Sequence, residues 1–130
     1  MMSGNATFNL ASGNVYVALA NSTYVPNANT DQFFSSANSG LVTTPVKLTS
    51  VTVANAMLTA ANTTFSAVSA ANGTVTRAII YISNGASWNS SNTTAPLIAS
   101  IDSATGLPVT PNGGDINLAW QTSSPGILTL

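Results

Sequence analysis

Cysteine and histidine are both missing from this 130-residue chain, and charge is nearly so, with two basic and three acidic residues. Without cysteine there is no disulfide to staple the fold. Without either residue type, nucleophilic catalysis through a Cys or a His base is excluded within one chain, and zinc loses its commonest ligands. Lys47 and Arg77 are the only fixed positive charges, too few for the basic patch that phosphate backbones require, so nucleic acid is not an expected partner. No run of 18 apolar residues occurs, so no membrane-spanning helix and no membrane partner are expected. Residues 1–20 lack a basic leader and a clean cleavage site, so no secretory signal is expected either.

The acids are Asp31, Asp102 and Asp115, and carboxylate-pair hydrolysis would need two of them to converge. Neither Asp102 nor Asp115 lies in a calcium-loop pattern, and no glycine-rich phosphate loop is present. The expectation is therefore a protein that is not an enzyme, with no catalytic residues, no metal and no cofactor. A charged fraction of 4% stands against about 25% in an ordinary globular domain. Solubility must come from the many Asn, Ser and Thr side chains. That suits a body held at high local concentration in an assembly, because little charge repels one copy from the next. Asn-x-Ser/Thr triplets begin at Asn5, Asn21, Asn62, Asn72, Asn89 and Asn92, as expected by chance in a chain so rich in these residues.

What the chain does carry is β-branched and aromatic residues in short runs. The densest is 74–83, TVTRAIIYIS. At a period of two, Val75, Arg77, Ile79 and Tyr81 fall on one face and Thr76, Ala78, Ile80 and Ile82 on the other. Bulk on both faces is what a central strand needs. Residues 1–14 are polar and read as an N-terminal arm or a weak first strand. Residues 15–20 alternate as a better strand, ended by Pro26 and its neighbouring asparagines. Thr30 is placed to cap a single helical turn over Phe33 and Phe34, with Gly40 stopping it. Further strands are expected at 46–53, 63–70, 97–102, 115–121 and 127–130, while 57–58 are ambiguous between helix and turn. Asn72-Gly73 favours a tight connection into the central run. Residues 84–95 form a long polar loop with one large apolar side chain, Trp88.

Six to eight short strands between Pro, Gly and Asn turns read as an all-β fold. The expectation is an antiparallel β-sandwich, immunoglobulin-like or jelly-roll-like, with a short N-terminal arm at 1–14 and a single domain over 15–130. Arg77 sits in the most apolar strand, so it must reach solvent or find a mate. Asp102 is the expected structural partner, with Asp115 an alternative. Trp88 either anchors a docking partner or folds back to cap the core.

Three segments carry a resemblance: VYVALANSTYVPNANTDQFF at 15–34, RAIIYIS at 77–83, and the run from PLIASID through TGLPVTPNGGDINLAW to GILTL within 96–130. In these the chain resembles small β-rich structural proteins of tailed bacteriophage virions, from the head and tail regions, especially of marine phages and cyanophages. The Asn/Ser/Thr-rich middle, 55–71, departs from that pattern. The resemblance implies a non-enzymatic virion component, foremost a capsid decoration or cement protein that stabilises the head. Its expected partners are the major capsid protein and neighbouring copies of itself, including a homo-oligomer on the capsid. Its expected location is the capsid surface, and the host cytoplasm before assembly. The alternative is a tail- or fibre-associated module that binds host surface glycan. Contacts are expected through the arm and through Tyr24, Phe33, Trp88, Leu107, Pro108 and Val109, since loops and arms at the ends of such a fold are free to touch partners.

Overall fold

A computed structural model describes residues 14–27, 29–54, 57–83, 87–88, 95–102, 106–120 and 128–129. Its centre is a pair of six-residue strands, β1 (Val15–Ala20) and β6 (Arg77–Ile82), paired antiparallel from Val15↔Ile82 to Ala20↔Arg77. Two edge strands extend them into a four-stranded sheet ordered β2-β1-β6-β7, with β2 at Val46–Lys47 and β7 at Leu97–Ile101. A three-stranded sheet joins β3 (Thr52–Ala54), β4 (Met57–Thr59) and β9 (Leu128–Thr129), and β5 (Thr63–Phe65) pairs with β8 (Ile116–Leu118). Every pairing among the described residues is antiparallel, so the fold is β-rich and antiparallel.

The alternation of β1 and β6 explains why the main sheet lies in the middle. Val15, Val17 and Leu19 point to one side with Ala78, Ile80 and Ile82, and there they meet Leu58, Phe65 and Val68. Tyr16, Ala18 and Ala20 point to the other side with Ile79 and Tyr81, where Tyr24, Phe34, Ala37 and Leu97 close over them. The smaller sheets thus cover the first face, and the excursion between β1 and β2 covers the second. Tyr81, Phe34, Leu19 and Ile80 are among the largest fully buried side chains, and each such burial contributes about 1.5–3 kcal/mol. The two-faced central strand expected at 74–83 is found, but its alternation does not reach back to Val75. That residue packs on the first face, because it exchanges two backbone hydrogen bonds with Val109 at 2.8 and 2.9 Å instead of continuing β6.

Several expected elements are cut shorter by backbone geometry. The single strand expected at 46–53 is two strands, broken where Ser50 takes φ 52°. The strand expected at 63–70 ends at Phe65. Ala67 has φ 50° and its N–H donates to Asp115 Oδ1 at 2.9 Å, so the chain turns there and enters a 3-10 helix at Ala70–Asn72. The helical turn expected from Thr30 forms later, as a 3-10 helix at Phe34–Gly40 preceded by Phe33 with no side-chain cap. Gly40 does end it. A Cβ there would lie 2.6 Å from Tyr24 Cβ, so the close approach of this helix to Tyr24 requires glycine. The ambiguous residues at 57–58 belong to β4. The arm expected at 1–14 lies outside the described residues except for Asn14, and so does most of the 84–95 loop.

Candidate functional site

The second face of the main sheet carries the features with binding chemistry. Beyond β6, the Ser83 hydroxyl donates to the Ser87 carbonyl, and the Tyr81 hydroxyl donates to the Trp88 carbonyl at 2.8 Å. Burial pushes the Tyr81 phenol far above its ordinary value, with Tyr16 adding to the shift, so the hydroxyl keeps its proton as a donor. Trp88 is therefore pinned through its backbone, while its half-buried indole packs against the second-face core.

Beside Trp88 an open groove of about 240 Å³ runs between it, the segment 41–45 and Asn72. The groove is held in shape by Asn72, whose Nδ2 donates to the Val42 carbonyl at 2.8 Å and whose own carbonyl accepts from Asn21 Nδ2 at 3.0 Å. No charged residue lines it. Among the described residues, neither the Thr43 nor the Thr44 hydroxyl makes a hydrogen bond within the chain. Sequence patterning marks Asn72 only as a turn residue and gives no reason to single out Thr43 or Thr44, because only the return of the chain beside Trp88 brings the three together.

A second polar cluster is closed rather than open. Tyr24, expected at an interface, is buried instead: its ring belongs to the second-face core and its hydroxyl donates to Asp31 Oδ2 at 3.0 Å. The reason is local. The Asn27 N–H donates to the same oxygen at 2.9 Å, and the Thr30 hydroxyl donates to Asp31 Oδ1 at 3.3 Å, which folds the carboxylate back over Tyr24. Burial acts to raise the Asp31 pKa, but the hydrogen bonds from Asn27, Tyr24, Thr30 and Ser36 outweigh it and hold the carboxyl below its usual value. Tyr24 is pushed up to about 12, first by burial and then by its bond to Asp31 and that group's charge.

Arg77 approaches this cluster, with its guanidinium carbon 6.0 Å from the centre of the Tyr24 ring. Its Nε is buried without a hydrogen-bond partner. One step beyond Ala78↔Ile101, the antiparallel count sets Arg77 opposite Asp102. The expected pair does not close, however: no ion pair joins them, and Asp102 is exposed beyond the end of β7. Asp115, the alternative mate, is engaged with the Ala67 N–H. The three acids thus occupy three different settings, and among the described residues no cluster of three metal-ligating side chains forms.

The remaining expected contact residues do not form one surface. Phe33 is exposed and bridges to Pro96 at the start of β7. Leu107 and Val109 are half-buried against the first-face core, with Pro108 exposed between them, whereas Trp88 packs against the second. Sequence reasoning did not single out Val25, which is 75% exposed and lies on the same excursion as Phe33. The chain matches no protein-family model and no curated protein.

Proposed function

We propose that the chain is a structural protein of a tailed-phage virion, a decoration protein that binds the outside of the head and holds neighbouring capsid subunits together. On this reading the three sheets form a β-sandwich of jelly-roll or immunoglobulin type, and the protein's work is adhesion. The observation that carries the proposal is the placement of exposed apolar surface: Val25 and Phe33, the two large hydrophobics left exposed among the described residues, both lie on the excursion over the second face. A nearly uncharged exterior supports it, because copies can crowd together with little mutual repulsion. Weak apolar contacts suffice when many copies bind one particle and each stabilises the bound state by mass action.

Quantitative mass spectrometry of purified virions tests the proposal. Decoration requires hundreds of copies per head, and heads lacking the protein must break at lower temperature. A Val25→Ser/Phe33→Ser double variant must fold and yet bind heads more weakly. A few copies per particle, together with lost adsorption and unchanged head strength, would instead identify a receptor-binding component and overturn the proposal.

A further inference from the structure

We propose that the groove between Trp88, segment 41–45 and Asn72 binds a single neutral pyranose ring. This inference stands on the geometry of the groove and does not depend on where the chain sits in a particle. Three observations define the ligand class. The first is size: about 240 Å³ has room for some eight waters at about 30 Å³ each, and falls below the ~300–1,000 Å³ of pockets for drug-sized ligands. The second is charge, since no ionisable residue lines the groove, so a charged ligand would lose hydration with no counter-charge to replace it.

The third observation is the polar equipment. The Thr43 and Thr44 hydroxyls are free of partners in the chain among the described residues, and each can donate and accept. Asn72 spends Nδ2 on Val42, which leaves its Oδ1 as an acceptor. A sugar ring has hydroxyls around its rim for these groups and an apolar C–H face for an indole. The Trp88 backbone is fixed by Tyr81 and its indole packs against the second-face core, so the aromatic wall is set before ligand arrives and little ordering entropy is lost on binding. One ring in an open groove binds weakly, with Kd on the order of 1 mM.

Saturation-transfer difference NMR on the full chain tests this, with the methyl glycosides of glucose, galactose and mannose as probes. At least one probe is expected to receive saturation, strongest at its ring C–H protons. Trp88→Ala is expected to weaken that probe by about tenfold or more, and Thr44→Val by about threefold or more. Thr44 is exposed, so T44V keeps the fold and decides the matter alone if W88A unfolds. The proposal is overturned if none of the three probes receives saturation, or if a folded T44V binds as tightly as the unaltered protein.

Discussion

Phe34 and Tyr81 stack nearly parallel, with ring centroids 3.7 Å apart and 7° between their planes. The contact joins the 3-10 helix of the excursion to the central strand, and Tyr16 stacks on the same Tyr81 ring with 5.8 Å between centroids. Tyr81 is thus held between a neighbouring strand and the cover of the second face. Removing Phe34 opens a cavity and uncovers that ring. Phe34→Ala is expected to cost about 3–5 kcal/mol in urea unfolding, and Phe34→Leu distinctly less. A loss under 1 kcal/mol for the alanine variant would mean that the excursion does not seal the core.

Gly40 gives a sharper steric test. A methyl group there meets Tyr24 Cβ at 2.6 Å and Tyr24 N at 2.9 Å, and backbone cannot swing aside as a side-chain tip can. Gly40→Ala is expected to cost about 1–3 kcal/mol, the range for overpacking. Gly114→Ala serves as the comparison, since its nearest neighbour is the Asn112 side-chain oxygen at 3.0 Å, which can rotate away at the loss of one exposed hydrogen bond from the Gly114 N–H. Equal losses in the two variants would rule out backbone crowding as the reason for Gly40.

The Tyr24–Asp31 pair makes stability depend on pH at both extremes. Asp31 is held below its unfolded value, so its contribution is present above about pH 4 and is lost as pH falls through the folded pKa. Tyr24 is raised from 10.0 to about 12, so its contribution is full below pH 10 and is lost as pH rises towards 12. Urea midpoints measured across pH should therefore flatten on the acid side in Asp31→Asn and on the alkaline side in Tyr24→Phe. At neutral pH the Tyr24→Phe variant is expected to lose about 1–3 kcal/mol, because Asp31 is left short of a donor in a buried site. An acid limb that keeps its slope in Asp31→Asn would refute this assignment.

Arg77 supplies the opposite kind of prediction, an absence of coupling. Since no ion pair joins it to Asp102, a double-mutant cycle of Arg77→Met with Asp102→Asn should give an interaction energy near zero, within about 0.5 kcal/mol. Arg77→Met itself is expected to be close to neutral, because the stem is kept and a buried Nε without a partner is removed. Coupling above about 1 kcal/mol would show that the pair closes in solution.

The parts of this fold that are legible in the sequence are those in which one residue's environment is set by its immediate neighbours. RAIIYI and VYVALA carry bulk on both sides of a strand, and both prove to be central. The breaks at Ser50 and Ala67 are not legible, because each is a non-glycine residue with positive φ, and at Ala67 the N–H is tied to the distant Asp115. Tyr24 resists placement from sequence for a related reason. A tyrosine among Asn and Pro resembles loop surface until its hydroxyl is paired with a carboxylate seven residues on. The groove is hidden more deeply still, since Trp88, segment 41–45 and Asn72 are distant in sequence and only the fold brings them together. Pairings such as β5 with β8 and β4 with β9 join segments over fifty residues apart, and no local pattern encodes them.

The antiparallel register from Val15↔Ile82 to Ala20↔Arg77 has a consequence during synthesis. β1 is made before β6, and its long partner is not complete until Ile82 has been made. For that whole interval a stretch with no charged residue, VYVALA, lacks its main mate. A translation product cut short before Arg77 would therefore expose an adhesive ribbon to every other such product, an unpaired edge of the kind on which aggregation starts.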